Sequence, residues 1–299
     1  MRRTALLTLV ASIALAAASP ARATTHRFGG LSVAVGEEDA FPGGVVTVTL
    51  VSRRPVRGMV TAILDGRRCP AFWTEGALRA LVPVPVTFGP GPTTLGVEIR
   101  TARGRQRLAV PLQIAARAYP PRDTVLPDAQ REIVALPGSV RDGRRLLQLL
   151  RTVTPRQEWH GPFRPPVDAA PVPSFGAPQT YAGVPLVESR EDGIYGEYHR
   201  GLDYEVAAGT PVQAPAAGTV LFAGTLALTG RTIVVDHGLG VLSVLAHLRD
   251  MSVAEGEWVE AGRTIGASGD TGVAATPHLH WGVYLLGVAI DPRVMQTLG

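Results

Sequence analysis

The stretch Pro277-His278-Leu279-His280-Trp281 places two histidines two residues apart inside an apolar run. Because side chains alternate between the two faces of a β-strand, this spacing predicts a strand with both imidazoles on one face and Leu279 on the other. The aromatic Trp281 also favours a strand. Two imidazoles on one buried face need partners for their nitrogens, and a bound zinc ion is one such partner. The alternative interpretation is an edge strand with one exposed and one hydrogen-bonded histidine.

Two further polar features precede this stretch and would complete a metal site. His199 and Asp203 lie four residues apart, and on a straight strand they would be roughly 13 Å apart, too far to bind one ion. A bend at Gly201 would bring them together. His247 follows an apolar segment that predicts a strand. Because the chain has a single cysteine, far from these residues, a histidine cluster in an acidic β-rich segment indicates a His/Asp metal site.

The first 23 residues have a positively charged start, a short apolar core and a small-x-small ending at Ala21-Arg22-Ala23. This pattern predicts a secretory signal peptide that is cut after Ala23. No later stretch is apolar for long enough to predict a membrane span. The sequence therefore predicts an exported protein of the periplasm, the cell wall or the extracellular space.

The remaining chain divides into three segments. Residues 24–117 alternate short apolar runs with turn signals, which predicts an immunoglobulin-like β-sandwich serving as a spacer or binding domain. Residues 118–178 are interrupted by prolines and predict a linker with two short helices, 128–136 and 140–153. Within it, Trp159, His160 and Phe163 are predicted to pack against a neighbouring domain, and the alternative is that they flank a substrate groove. Residues 179–299 predict a compact antiparallel β domain, so the fold class is all-β.

Charge is unevenly distributed between the two ends of the chain. Residues 24–179 hold 20 arginines and 12 acidic residues, whereas residues 180–299 hold 6 arginines and 13 acidic residues. The basic part would lie against an anionic polymer such as a cell wall, or against a membrane surface, or it is simply a solvated surface. We expect no nucleic-acid partner. The complete absence of lysine excludes Schiff-base, biotinyl and lipoyl chemistry.

The C-terminal segment resembles the lysostaphin-type (LytM-type) zinc endopeptidases of bacterial cell walls. That family carries His-x-x-x-Asp, then a histidine after a strand, then His-x-His. The same order is present here as His199/Asp203, His247 and His278/His280. Connecting segments are also similar: Gly201-Leu202-Asp203, Pro215-Ala216-Ala217-Gly218-Thr219-Val220, Asp236-His237-Gly238, Gly256-Glu257-Trp258-Val259, Thr264-Ile265-Gly266 and Thr271-Gly272.

The resemblance implies a peptidoglycan hydrolase that uses Zn²⁺. It implies that His199, Asp203 and His280 bind the metal, that His278 is the general base, and that His247 stabilises the oxyanion or moves protons. The implied substrate is a peptide bond of a peptidoglycan stem or cross-bridge. Envelope proteins are further candidate partners, and the oligomeric state is left open.

The sequence departs from the family pattern at two positions. Leu245 stands where the family commonly has tyrosine, and Gly282 stands where an acidic residue is frequent. Neither residue is an implied metal ligand. His237 lies in a turn of the family pattern, and we predict a structural role for it. The alternative is a non-catalytic cell-wall-binding regulator or amidase activator on the same fold. Degenerate members of that kind generally lose metal ligands, and here all five site positions are present.

Overall fold

The structure is a computed structural model that describes residues 23–298, apart from 29–30, 53–55, 57, 75, 103, 182–183 and 186–197. The predicted signal peptide, except for Ala23, lies outside the described residues. The described part of the chain is dominated by β-strands, as the sequence predicted, and it contains no helix that is both long and apolar enough to cross a membrane.

Two antiparallel sheets form the N-terminal part. Their strands are β1 (Ala23–Phe28), β2 (Leu31–Gly36), β3 (Val45–Ser52), β4 (Met59–Leu64), β5 (Arg67–Pro70), β6 (Phe72–Thr74), β7 (Ala77–Pro83), β8 (Gly91–Thr101) and β9 (Gly104–Ile114). The strand orders are β1-β2-β3-β7-β6 and β5-β4-β8-β9, and the two sheets share one core. This order supports the immunoglobulin-like assignment, which stays a prediction. The lone Cys69 is buried in that core, and burial raises its thiol pKa to about 11.

Five short elements lie in the proline-rich segment and in the residues directly after it. They are β10 (Arg122–Thr124), α1 (Asp128–Ala135), α2 (Pro137–Leu149), β11 (Gln179–Tyr181) and β12 (Val184–Pro185). Helix α2 begins three residues before its predicted start, because a proline is tolerated in the first turn of a helix, and it ends before the predicted Val153. Trp159 and Phe163 are buried in the C-terminal core, whereas His160 is exposed, so the packing prediction was wrong for His160.

The C-terminal part is built on a nine-stranded sheet. Its elements are β13 (Leu202–Tyr204), β14 (Pro211–Gln213), β15 (Gly218–Leu226), β16 (Gly230–Asp236), β17 (Val241–Met251), β18 (Trp258–Val259), β19 (Thr264–Ser268), β20 (Leu279–Leu285), β21 (Val288–Ile290) and the short helix α3 (Pro292–Met295). The main path is β13-β20-β17-β16-β15-β18, with antiparallel pairing throughout. Strand β20, which carries His280 and directly follows His278, therefore lies between β13 and β17.

The N-terminal sandwich and the C-terminal domain pack against each other directly. Val45 and Leu81 of the sandwich belong to the C-terminal core. The backbone amide of Asp291 donates to the carbonyl of Gly43 at 2.7 Å, and Arg117 pairs with the buried Asp291 carboxylate at 3.2 Å. The segment limits 24–117, 118–178 and 179–299 stay predictions.

Candidate metal centre

Three neighbouring strands bring the predicted site residues together. In the register of β13 and β20, Asp203 lies directly opposite His280. On the other side of β20, Ala246 of β17 lies opposite His280, so that His247 follows immediately. His278 lies just before β20 and bridges to Gly269, and its spacing of two puts it on the same face as His280. The imidazoles of His278 and His280 thus lie on one face, as the sequence predicted, and this face is turned towards Asp203.

The tightest cluster consists of His199, Asp203 and His280. Nε2 of His199 lies 3.2 Å from Oδ1 of Asp203, and Nδ1 of His280 lies 3.0 Å from the same oxygen. One ligand atom from each of the three residues lies within 4.8 Å of the others. This is the only such cluster of three or more among the described residues. The turn between His199 and Asp203 closes the 13 Å gap expected for an extended chain.

Gly201 makes this turn possible because it approaches strand β20 closely. A Cβ atom at this position would lie 2.5 Å from the carbonyl oxygen of Trp281 and 2.7 Å from the ring of His280. Any larger residue would push the His199–Asp203 segment away from β20. A glycine is therefore required at this position, because two backbones approach each other closely. The sequence had predicted a bend at this residue.

His247 and His278 lie beside the cluster, and each is anchored through Nδ1. His247 has a positive φ of 60°, and its Nδ1 lies 2.8 Å from the carbonyl oxygen of Thr271. His278 Nδ1 lies 2.7 Å from the carbonyl oxygen of Thr276. Because a carbonyl only accepts, both Nδ1 atoms carry the proton and both Nε2 atoms are left as acceptors in the neutral rings. The two rings are 4.7 Å apart between centroids.

The electrostatics of the site favour an ionised Asp203 and the neutral forms of His247 and His280. Burial alone would raise the pKa of Asp203, but the charge and hydrogen bond of His199, followed by those of His280, hold it well below its usual range. Burial lowers the pKa of His280. Burial, followed by the charges of His278 and His280, lowers the pKa of His247 to about 3. These are the protonation states in which histidine and aspartate bind metals.

The donor set fits a metal ion. Two imidazole nitrogens and one carboxylate oxygen are the three-ligand type of set that holds catalytic zinc and leaves a position open. The three residues are also largely buried, with His199 only 8% exposed and Asp203 only 5% exposed. Nδ1 of His199 is buried and has no hydrogen-bond partner among the described residues. His199, Asp203 and His280 are the three residues that the family resemblance implies as ligands, and their role as ligands stays a prediction.

Comparison with known proteins identifies this part of the chain. Residues 197–292 match the model of peptidase family M23. They form an M23 peptidase domain. This confirms the resemblance to LytM-type peptidases, which was limited to the C-terminal part.

Curated relatives of the M23 domain include peptidoglycan hydrolases. The DD-carboxypeptidase/endopeptidase Mpg of Neisseria meningitidis is 39% identical over 94 residues, which is 31% of this chain and 22% of the relative. The peptidoglycan DD-endopeptidase ShyC of Vibrio cholerae is 34% identical over 98 residues, 33% of this chain and 23% of the relative. This chain thus spans only about a fifth of the length of these relatives.

One solved structure covers most of the chain. A Pseudomonas aeruginosa protein assigned to peptidase M23 has 27% identity and a TM-score of 0.61, and the alignment covers 87% of this chain and 95% of that protein. The similarity therefore extends beyond the M23 domain to the N-terminal half, and it supports the mainly β architecture of the described residues.

A cavity of about 230 Å³ adjoins the metal cluster, and the M23 domain forms only part of its wall. The sequence reasoning missed several of its lining residues. Tyr284 could have been found, because it lies on the same face of β20 as His280 by strand alternation. Arg122 and Thr124 come from β10 and Leu146 from α2, and nothing in the local sequence marks them as site residues. The ion pair between Arg122 and Asp203, with Nη1 2.6 Å from Oδ2, depends entirely on tertiary packing.

Proposed function

We propose that this chain is an exported zinc-dependent endopeptidase that hydrolyses peptide bonds in peptidoglycan stems or cross-bridges. The observation that carries the proposal is the convergence of one ligand atom each from His199, Asp203 and His280 within 4.8 Å, beside two more histidines and an open cavity. The named activities of the curated M23 relatives support peptidoglycan as the substrate.

The proposed roles follow from the hydrogen bonds of each residue. His199, Asp203 and His280 would hold Zn²⁺, which when bound would supply a Lewis acid that activates water and polarises the scissile carbonyl. His278 would accept a proton from the attacking water through Nε2, since its Nδ1 is already bonded to the carbonyl of Thr276. Its Nε2 lies 3.8 Å from Oδ1 of Asp203, so the base would stand at the edge of the ligand cluster.

The hydrogen bond and the pKa of His247 favour one of the two roles that the family resemblance implies for this residue. A neutral imidazole with Nδ1–H bonded to Thr271 presents Nε2 as an acceptor, whereas an oxyanion needs a donor. The pKa of His247, lowered to about 3 by burial, keeps the ring neutral at physiological pH. Of the two roles implied by the family, proton movement therefore fits the resting state of His247 better than oxyanion stabilisation.

The test combines metal content with turnover. Residues 24–299 are purified, zinc is measured by elemental analysis, and the protein is incubated with purified peptidoglycan with and without chelator while new amino termini are measured. We expect about one zinc per chain and cleavage that the chelator abolishes. Zinc binding with no cleavage of any peptidoglycan preparation would instead support the regulator. Absence of both would refute the metalloenzyme assignment.

A further inference from the structure

Arg122 reaches the metal cluster from outside the M23 domain. It is the first residue of β10, which pairs in parallel with β11 and places Arg122 opposite Gln179. Its backbone amide donates to the carbonyl of Pro178 at 2.8 Å. The guanidinium is about one-third exposed, while the Asp203 side chain that it contacts is almost fully buried. The backbone of β10 is therefore held by hydrogen bonding at Arg122, and the side chain of the same residue enters the site.

The two oxygens of the Asp203 carboxylate have separate partners. Oδ2 accepts a hydrogen bond from Nη1 of Arg122 at 2.6 Å. Oδ1 lies 3.2 Å from Nε2 of His199 and 3.0 Å from Nδ1 of His280. The guanidinium thus occupies the oxygen that the histidines do not approach, and leaves the converging donor atoms uncovered. A side chain that blocked the site would instead be expected to contact Oδ1 or the two imidazoles.

We propose that Arg122 is a positioning residue that orients the Asp203 carboxylate for metal binding. This inference rests on the proposed function. A carboxylate turns readily about its last side-chain bond, and a charge-assisted hydrogen bond to one oxygen fixes the direction of the other. Groups that hold metal ligands in this way typically contribute 10–100-fold to metal affinity or activity when they are removed. The metal site would then depend on residue 122, which the family match does not include.

The experiment measures zinc affinity directly on the metal-free chain of residues 24–299, by competition with a chromophoric chelator. The variants are Arg122→Ala, Arg122→Gln and Arg122→Lys. The matched control is Arg156→Ala, which removes an arginine of the same segment whose side chain is 80% exposed and pairs only at the surface with Glu158. The absorption spectrum of the cobalt-substituted protein gives a second readout of ligand geometry, independent of activity.

We expect zinc affinity to fall 10–100-fold in Arg122→Ala and Arg122→Gln, to be largely restored in Arg122→Lys, and to be unchanged in Arg156→Ala. The cobalt spectrum should change in the first two variants only. If Arg122→Ala is poorly folded, the comparison of Gln with Lys decides, because both keep a long side chain with a donor and only Lys keeps the positive charge.

Three results would overturn the inference. Zinc affinity of all Arg122 variants within threefold of wild type would show that the ion pair does not orient the ligand. Faster peptidoglycan cleavage by Arg122→Ala at unchanged zinc affinity would make Arg122 an inhibitory contact instead. Equal losses in Lys and Gln would indicate a structural role alone. If the unmodified chain binds no zinc, both the proposed function and this inference are wrong. If the chain binds zinc but the affinity does not depend on residue 122, only this inference is wrong.

Discussion

His237 provides a quantitative test of the buried hydrogen-bond network beneath the site. Its ring is completely buried, and Nδ1 lies 2.8 Å from the carbonyl oxygen of Ala217. Nε2 lies 2.9 Å from Oγ of Ser243, which also accepts from Nε1 of Trp281 at 3.2 Å. Nδ1 must donate to the carbonyl, so Nε2 accepts from the serine hydroxyl. The neutral ring completes this network, and a second proton on Nε2 would leave the hydroxyl hydrogen without its acceptor.

The magnitude follows from the pKa. Burial lowers the pKa of His237 to about 4, against a smaller opposing effect of its bond to Ala217, whereas the unfolded chain has a value near 6.5. The unfolded state therefore binds more protons between these values, so the stabilisation is complete above about pH 6.5 and is lost as pH falls towards 4. At about 1.4 kcal/mol per pKa unit, His237 should cost the fold roughly 2 kcal/mol at pH 5 and about 3 kcal/mol at pH 4, relative to pH 7.

The assay is urea unfolding of the metal-free protein, followed by tryptophan fluorescence at pH 7, 6, 5 and 4. His237→Gln is compared with wild type, because its amide can still donate to Ala217 and accept from Ser243 but does not titrate in this range. Between pH 7 and pH 5 or 4, the free energy of unfolding should fall less in the variant than in wild type, by the amounts given above for His237. The contributions of the other histidines are the same in both proteins and cancel when the two are compared. Parallel pH dependence of the two proteins, within about 0.5 kcal/mol, would refute the reasoning.

Four changes test the site itself. His280→Ala should abolish zinc retention by elemental analysis, because it removes one of three donors. His278→Gln should retain zinc but lose 10²–10⁴-fold in peptidoglycan cleavage, and full activity would disprove its role as base. Gly201→Ala should destabilise the fold by about 1–3 kcal/mol in thermal unfolding and weaken zinc binding, since its Cβ would lie 2.5 Å from the carbonyl oxygen of Trp281. Residues 179–299 alone should bind zinc more weakly than the longer chain in the same competition assay, and equal affinity would show that the preceding segment does not support the site.

The features that the sequence predicted are those with a local cause. The His-x-His spacing fixes two side chains on one face wherever a strand forms, and β20 forms because its residues are apolar, β-branched or aromatic. The antiparallel β character of residues 179–299 was also anticipated, because their apolar runs are separated by glycine-containing turns. No strand was predicted over β13, whose three residues show no clear alternation. That strand carries Asp203, so the carboxylate was placed by its spacing from His199 rather than by its element.

The conformation of His247 shows a different limit. The sequence predicts a strand ending near it, whereas β17 continues to Met251 with His247 in the left-handed region. A non-glycine residue in this region is uncommon and persists where surrounding contacts hold it. Here the backbone amide of His247 donates to Thr229 and its ring bonds to Thr271, two residues from separate loops. No pattern within β17 could have revealed a conformation that depends on both.

The segment before the M23 domain shows why a site cannot always be cut out at a family boundary. The backbone of Asp203 is held by Val172, whose amide donates to its carbonyl at 2.8 Å, and the backbone of His199 is held in both directions by Gly176 and Ala177, also at 2.8 Å. Together with the Arg122 ion pair, these bonds hold two of the three proposed ligands, His199 and Asp203. The residues that hold them belong to a segment whose composition predicts only a linker. Prolines interrupt regular elements but leave the carbonyls and most amides of a segment available for such bonds. A proline-rich stretch can therefore be as much a part of a site's scaffold as the strands that carry its ligands.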